Sequence, residues 1–143
     1  MSYNIIRLVR KGIKMTKGII LTSHGSLASG VYSSVRMITG DFDKLRICEL
    51  HKGDNFDDLD KSLLKAYEDL KACDNILVLC DMLGGTPFNR AVISLGSKKN
   101  ASFLAGLNFE MLYQALTLDL DDRNELIGEI LRTSKRSIAQ YKD

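Results

Sequence analysis

Proline occurs once in the 143 residues, histidine twice and cysteine three times. No apolar run approaches the roughly 20 residues that a membrane-spanning helix needs. Each scarcity excludes a class. With a single proline, 45% apolar residues and 27% charged ones, the chain is neither proline-rich, fibrous nor disordered. Cys48, Cys73 and Cys80 are odd in number and stand at no metal-ligand spacing. Only two histidines and no Cys-x-x-Cys speak against a structural zinc site. Two of the cysteines sit in apolar runs, as buried free thiols do in a reducing cytosol, so a cytoplasmic protein is expected. Neither Gly-x-x-x-x-Gly-Lys nor Gly-x-Gly-x-x-Gly occurs, which leaves a nucleotide site without support.

Charge is also thin. The formal net charge is +2, but Arg7, Arg10, Lys11 and Lys14 precede Met15 with no acid among them. Without residues 1–14 the balance is 16 basic against 18 acidic, a net of −2. A nearly neutral body with no basic cluster does not suit nucleic acid. The basic start lacks the apolar stretch of a signal peptide. Residues 1–16 are therefore expected to be an extension outside the fold, and 17–143 a single domain.

What is present alternates strand and helix. Residues 18–22 form a short apolar run with β-rich composition. Leu27, Val31, Val35 and Ile38 then recur at helical spacing, with Ser26 placed to cap and Gly40 to terminate. Residues 45–50 alternate as a less buried strand. A polar loop over 51–56 leads to a helix with Leu59, Leu63, Tyr67 and Leu70 on one face. Residues 76–80 are continuously apolar, like a central parallel strand covered on both faces. After a loop over 81–85, Thr86 is placed to cap, and Pro87 to open, a helix carrying Phe88, Val92 and Leu95. Residues 101–105 read as a fourth strand, Asn108 as the cap of a helix with Phe109, Leu112 and Leu116, and about 122–141 as a last amphipathic helix. Four β–α units predict an α/β domain with an open, mainly parallel sheet and helices on both faces, a three-layer α/β/α arrangement.

In such sheets the working crevice lies beyond the carboxyl ends of the strands, where the strand order reverses. Two strand ends carry polar residues that packing does not require: Ser23-His24-Gly25-Ser26, and Asp81 before Gly84-Gly85-Thr86-Pro87. If the first and third strands are neighbours, His24 and Asp81 meet. A carboxylate that accepts from one ring N–H fixes the imidazole tautomer and leaves the other nitrogen free as a nucleophile. Gly25 permits close approach, the amides after Ser26 can hold an anion, and Gly84, Gly85 and Thr86 can supply further donors. These features suit a phosphoryl group carried on histidine. Each alone has a structural explanation, as a hydrogen-bonding histidine, a turn aspartate or a strand-to-helix turn; their convergence on one rim favours function. His51, in a polar loop, reads as an exposed bystander.

Residues 19–25 together with 81–89, in this order and spacing, closely resemble the enzyme IIA component of the mannose/fructose/sorbose class of the bacterial sugar phosphotransferase system. The similarity runs from about 17 to 118 and includes 105–108. The resemblance implies a phosphocarrier without a cofactor. The histidine protein HPr phosphorylates His24 on Nε2, and a cognate enzyme IIB takes the group on its own histidine for sugar uptake through membrane IIC and IID partners. It implies sheet order 2-1-3-4, an orienting role for Asp81, and a family position with Ser or Thr at Thr86. Met82 and Leu83 fall in a partner-contacting stretch. It also implies a homodimer. Some members exchange a C-terminal strand between subunits, but the segment after Asp119 reads as helix, so that exchange is not expected here. Two alternatives stand beside this reading. One is a regulatory relative not coupled to transport. The other is a tetrapyrrole metal chelatase, which would need a second ligand histidine or acid at the same crevice, and the only other histidine, His51, follows the second strand.

Overall fold

The computed structural model describes residues 15–143. Four strands, β1 (Lys17–His24), β2 (Leu45–Leu50), β3 (Asn75–Cys80) and β4 (Ala101–Ala105), alternate with helices. These are α1 (Leu27–Thr39), α2 (Phe56–Leu70), α3 (Thr86–Leu95), α4 (Phe109–Thr117) and α5 (Arg123–Arg136). All strand pairs are parallel, in the order β2-β1-β3-β4, as expected.

The central strands have no polar face because both their faces are covered. Ile19, Leu21, Leu77 and Leu79 join Ala28 and Val35 of α1, Met111 and Leu112 of α4, and Leu126 and Ile130 of α5. Ile20, Ile76 and Val78 point the other way, into Leu59 and Leu63 of α2 and Ala91 and Leu95 of α3. The three layers follow from that alternation.

Cys48, Cys73 and Cys80 are buried and free, as expected for the two that sit in apolar runs. Thr22 is paired in register with Cys48 on one side and Cys80 on the other. The two thiol-bearing backbones are thus two strand spacings apart, about 10 Å, beyond disulfide reach. Burial pushes the Cys80 thiol up to about 12 and raises that of Cys48, which makes both poor nucleophiles.

Several local expectations are corrected. Ser26 occupies the N-cap of α1 but its side chain makes no cap bond. Ser23, still inside β1, reaches forward and accepts from the Ala28 N–H at 2.9 Å. Thr86 is the first helical residue, with Gly85 as N-cap. Phe56 belongs to α2 rather than to the loop, because Asn55 caps that helix by accepting from Asp57 N–H at 2.7 Å. The final helix stops at Arg136, short of 141, since Ile138 and Tyr141 find nothing to pack on and stay exposed. Asn108 caps α4 as its position suggested. Of the segment expected outside the fold, residues 1–14 lie outside the described residues. Thr16 does not: its backbone N–H donates to Asp74 Oδ2 at 3.0 Å, and its hydroxyl accepts from Asp74 N–H at 2.9 Å.

On the α2/α3 face, Arg90 of α3 forms a forked pair with Asp60 of α2, Nε to Oδ1 at 2.9 Å and a second contact through Oδ2. Hydrogen bonding from Arg90 holds the Asp60 carboxyl below its ordinary value of 3.8. Such a group adds stability that is complete above the unfolded pKa and is lost as pH falls through the lowered folded one. The melting temperature is expected to drop on acidification below about pH 4, and less steeply in Asp60→Asn. A thermal-denaturation series over pH checks this; an unchanged acid slope in Asp60→Asn would exclude the pair as its source.

Candidate functional site

The chain leaves β1 toward β2 on one side and later returns to β3 on the other, so the strand order reverses between β1 and β3. The crevice beyond their carboxyl ends is the binding position of an open α/β sheet. Here it has an asymmetric rim. The β1–β3 ladder ends at Thr22↔Cys80, while β1 continues beside β2 as far as His24↔Leu50. His24 therefore overhangs β3, and Asp81 turns in beneath it.

That overhang lets Asp81 do several things. Its backbone N–H donates to the Thr22 carbonyl at 3.3 Å. Its Oδ2 accepts from the His24 backbone N–H at 2.9 Å and lies 2.8 Å from His24 Nδ1. Its Oδ1 accepts from the Met82 N–H at 2.9 Å. The carboxylate is 11% exposed, against 49% for the imidazole. A carboxylate can only accept, so Nδ1 carries a proton in this contact, and in the neutral ring Nε2 is the nitrogen with the lone pair. Nε2 has no hydrogen-bond partner among the described residues.

The glycine pair serves two ends. Gly84 has φ +77°, a left-handed conformation that disfavours other residues. Gly85 has an ordinary φ of −72°, but a Cβ there would meet His24 Cε1 at 3.0 Å. The imidazole therefore lies against the N-cap of α3. Asn89 holds the turn by donating from Nδ2 to the Gly84 carbonyl at 3.0 Å.

Two helices begin beside His24, and they differ. The first turn of α3 has no side-chain cap and no acidic residue, and the Thr86 hydroxyl makes no hydrogen bond among the described residues. The first turn of α1 is already served. Ala28 N–H donates to Ser23 Oγ, and Ser29 donates to Glu49 Oε2 from both its N–H, at 2.9 Å, and its hydroxyl, at 2.7 Å. The amides after Ser26, expected to receive an external anion, thus have internal acceptors at Ala28 and Ser29. Alternation along β1 also turns His24 to the same side as Ile20, the face of α2 and α3. Gly25, with φ +54°, makes the bend out of β1.

The sequence reading gave no role of their own to Glu49, Ser23 and Asn89. An acid at the carboxyl end of a strand, beside the two polar-ended ones, was the available signal for Glu49. His51 is exposed, as expected, and its Nε2 lies 3.5 Å from Glu49 Oε1. His24 points to α3 and His51 to Glu49, so the two histidines do not converge on one metal. No three His, Cys, Asp or Glu residues among the described ones are grouped to hold a metal ion. Met82 and Leu83 are exposed beside the site, on the rim that also carries exposed Leu27, Phe56 and Phe109 at the starts of α1, α2 and α4. No helix of the described residues is long and apolar enough to cross a membrane.

Comparison with known proteins gives a consistent result. The family model described as "PTS system fructose IIA component" matches residues 18–133. A fructose-specific EIIA component of the phosphotransferase system from Bacillus subtilis (strain 168) is 28% identical over 100 residues, 70% of this chain and 68% of the relative. A mannose-specific EIIAB component from Escherichia coli (strain K12) is 26% identical over 130 residues, 90% of this chain but only 40% of that longer protein. Among solved structures, a mannose/sorbose-specific IIA subunit from Enterococcus faecalis superposes with a TM-score of 0.81 at 26% identity, covering 90% of this chain and 97% of that one.

Proposed function

The chain belongs to the family of fructose IIA components of the sugar phosphotransferase system, and from that premise we propose that it carries a phosphoryl group on His24 Nε2 between HPr and a cognate enzyme IIB. The observation that carries the reading is the 2.8 Å contact between His24 Nδ1 and Asp81 Oδ2, which in the neutral ring puts the lone pair on Nε2 at the open rim of the sheet.

The exchange is a substitution at phosphorus. The Nε2 lone pair forms the new P–N bond as the P–N bond of phospho-HPr breaks, and that electron pair stays with the donor's ring nitrogen. His24 becomes a phosphoimidazolium whose Nδ1 proton faces Asp81, while the donor imidazole leaves neutral. The positive charge changes owner and no proton is released from the pair. Asp81 stabilises the charge as it develops. Gly85 and the first turn of α3, with the Thr86 hydroxyl, are placed to meet the phosphoryl oxygens on that side. Met82 and Leu83 are the residues by which a docked HPr or enzyme IIB would contact the rim. In this role the protein works in the cytoplasm, passes phosphate indirectly to membrane IIC and IID partners, and forms a homodimer.

Incubation with phosphoenolpyruvate, enzyme I and HPr is expected to add one acid-labile, base-stable phosphoryl group per chain. His51→Ala should take up the label to the same extent, since its ring pairs with Glu49 rather than facing the site. No label on the unaltered chain would overturn the reading, and loss of label in His51→Ala would overturn its placement on His24.

A further inference from the structure

Of the two helices that begin beside His24, one is already occupied by a negative charge. Parallel register places Glu49 of β2 beside Ser23, one residue before the partner of His24. Glu49 and Ser23 face the same side of the sheet and together take the first-turn amides of α1. The carboxylate is only 14% exposed, and Ser29 and His51 are its polar contacts. The start of α3, against which the imidazole lies, holds no such charge.

We propose that Glu49 is a resident anion that claims the N-terminus of α1, and so acts as a positioning residue for the phosphoryl group on His24. This rests on the phosphohistidine reading above. The partial positive charge of a helix start attracts an anion within about one turn. With a full carboxylate fixed there, α1 offers the incoming dianion repulsion instead of attraction, and α3 is the helix start left to it. A second effect follows. A fixed negative charge on the same rim destabilises phospho-His24 relative to free His24, which raises the tendency to pass the group onward. A cap that only secured α1 would do neither.

Glu49→Gln separates the two roles, because the amide oxygen still accepts from Ser29 while the charge is gone. Phosphoryl distribution between HPr and the chain is measured at equilibrium by 31P NMR, alongside melting temperatures. Glu49→Gln is expected to shift the distribution toward the phosphorylated chain by roughly 4-fold, the effect of one carboxylate on a dianion on the order of 10 Å away through a water-like dielectric. The shift should shrink as salt is raised. Ser29→Ala, which removes one hydrogen bond but leaves the charge, should melt lower and keep the wild-type distribution. A wild-type distribution in Glu49→Gln would overturn the proposal and leave Glu49 a helix cap. Absence of phosphoryl uptake by the unaltered chain would instead overturn the phosphohistidine reading.

Discussion

Replacing His24 with alanine is expected to abolish phosphoryl uptake from HPr altogether while leaving the fold intact. Nε2 is the atom that would bond to phosphorus, and alanine supplies no nucleophile in its place. The structural cost is small. The imidazole is half exposed, and β1 is held by its ladders to β2 and β3, which depend on backbone and not on this ring. Asp81 would lose one contact and keep the N–H groups of His24 and Met82, both supplied by backbone that the substitution retains. A stability change under about 1 kcal/mol is the expectation for such a site. Radiolabel uptake and a thermal melt measure the two halves. Equal labelling of His24→Ala and the unaltered chain would place the phosphoryl group elsewhere.

The second large effect concerns Asp81, and its geometry changes what a conservative substitution does. Asp81→Asn keeps size and shape, and on a turn residue of the surface it would be nearly silent. Here both carboxylate oxygens act as acceptors, one for His24 N–H and the Nδ1 proton, the other for Met82 N–H. An amide offers one oxygen and one NH2, so in either orientation a donor faces a donor. Loss of stability by about 1–2 kcal/mol is expected from the group left unpaired. Phosphoryl transfer should slow by about 100-fold, the scale seen when one preorganised electrostatic partner of a reacting group is removed. Rapid-quench transfer from phospho-HPr, with a urea melt alongside, would measure both. An unchanged transfer rate would reduce Asp81 to a structural brace.

Most of the architecture was legible in the sequence because it rests on local patterns. Residues 45–50 were legible as an alternating run and 101–105 as a fourth strand, and the strands match those limits. Asn108 stood just ahead of an apolar helical face, and it caps. His24 and Asp81 were legible as polar strand ends that nothing in the packing required. Long-range pairings were not legible. That Ser23 would cap α1 in place of Ser26 depends on the bend at Gly25, which swings the helix start back over β1. That Asp81 would hold two backbone N–H groups as well as a ring depends on β1 running past the end of β3, a matter of register between segments far apart in sequence. Glu49 was read only as one position in an alternating strand. Which helix start it would serve follows from the β1–β2 pairing alone.

The half-exposed imidazole on an interior strand has a consequence for timing. His24 belongs to a backbone ladder and has no hinge of its own, so on the proposed reading the reactive atom waits in one orientation for whichever protein arrives. Half of its ring faces water throughout that wait. Shielding from hydrolysis would then come from the docked partner and last only as long as the encounter. Between encounters the charged carrier is a perishable intermediate, and the yield of each phosphoryl group depends on how quickly the next protein collides. Partner abundance, more than any motion of this chain, would set how much of the flow is lost to water.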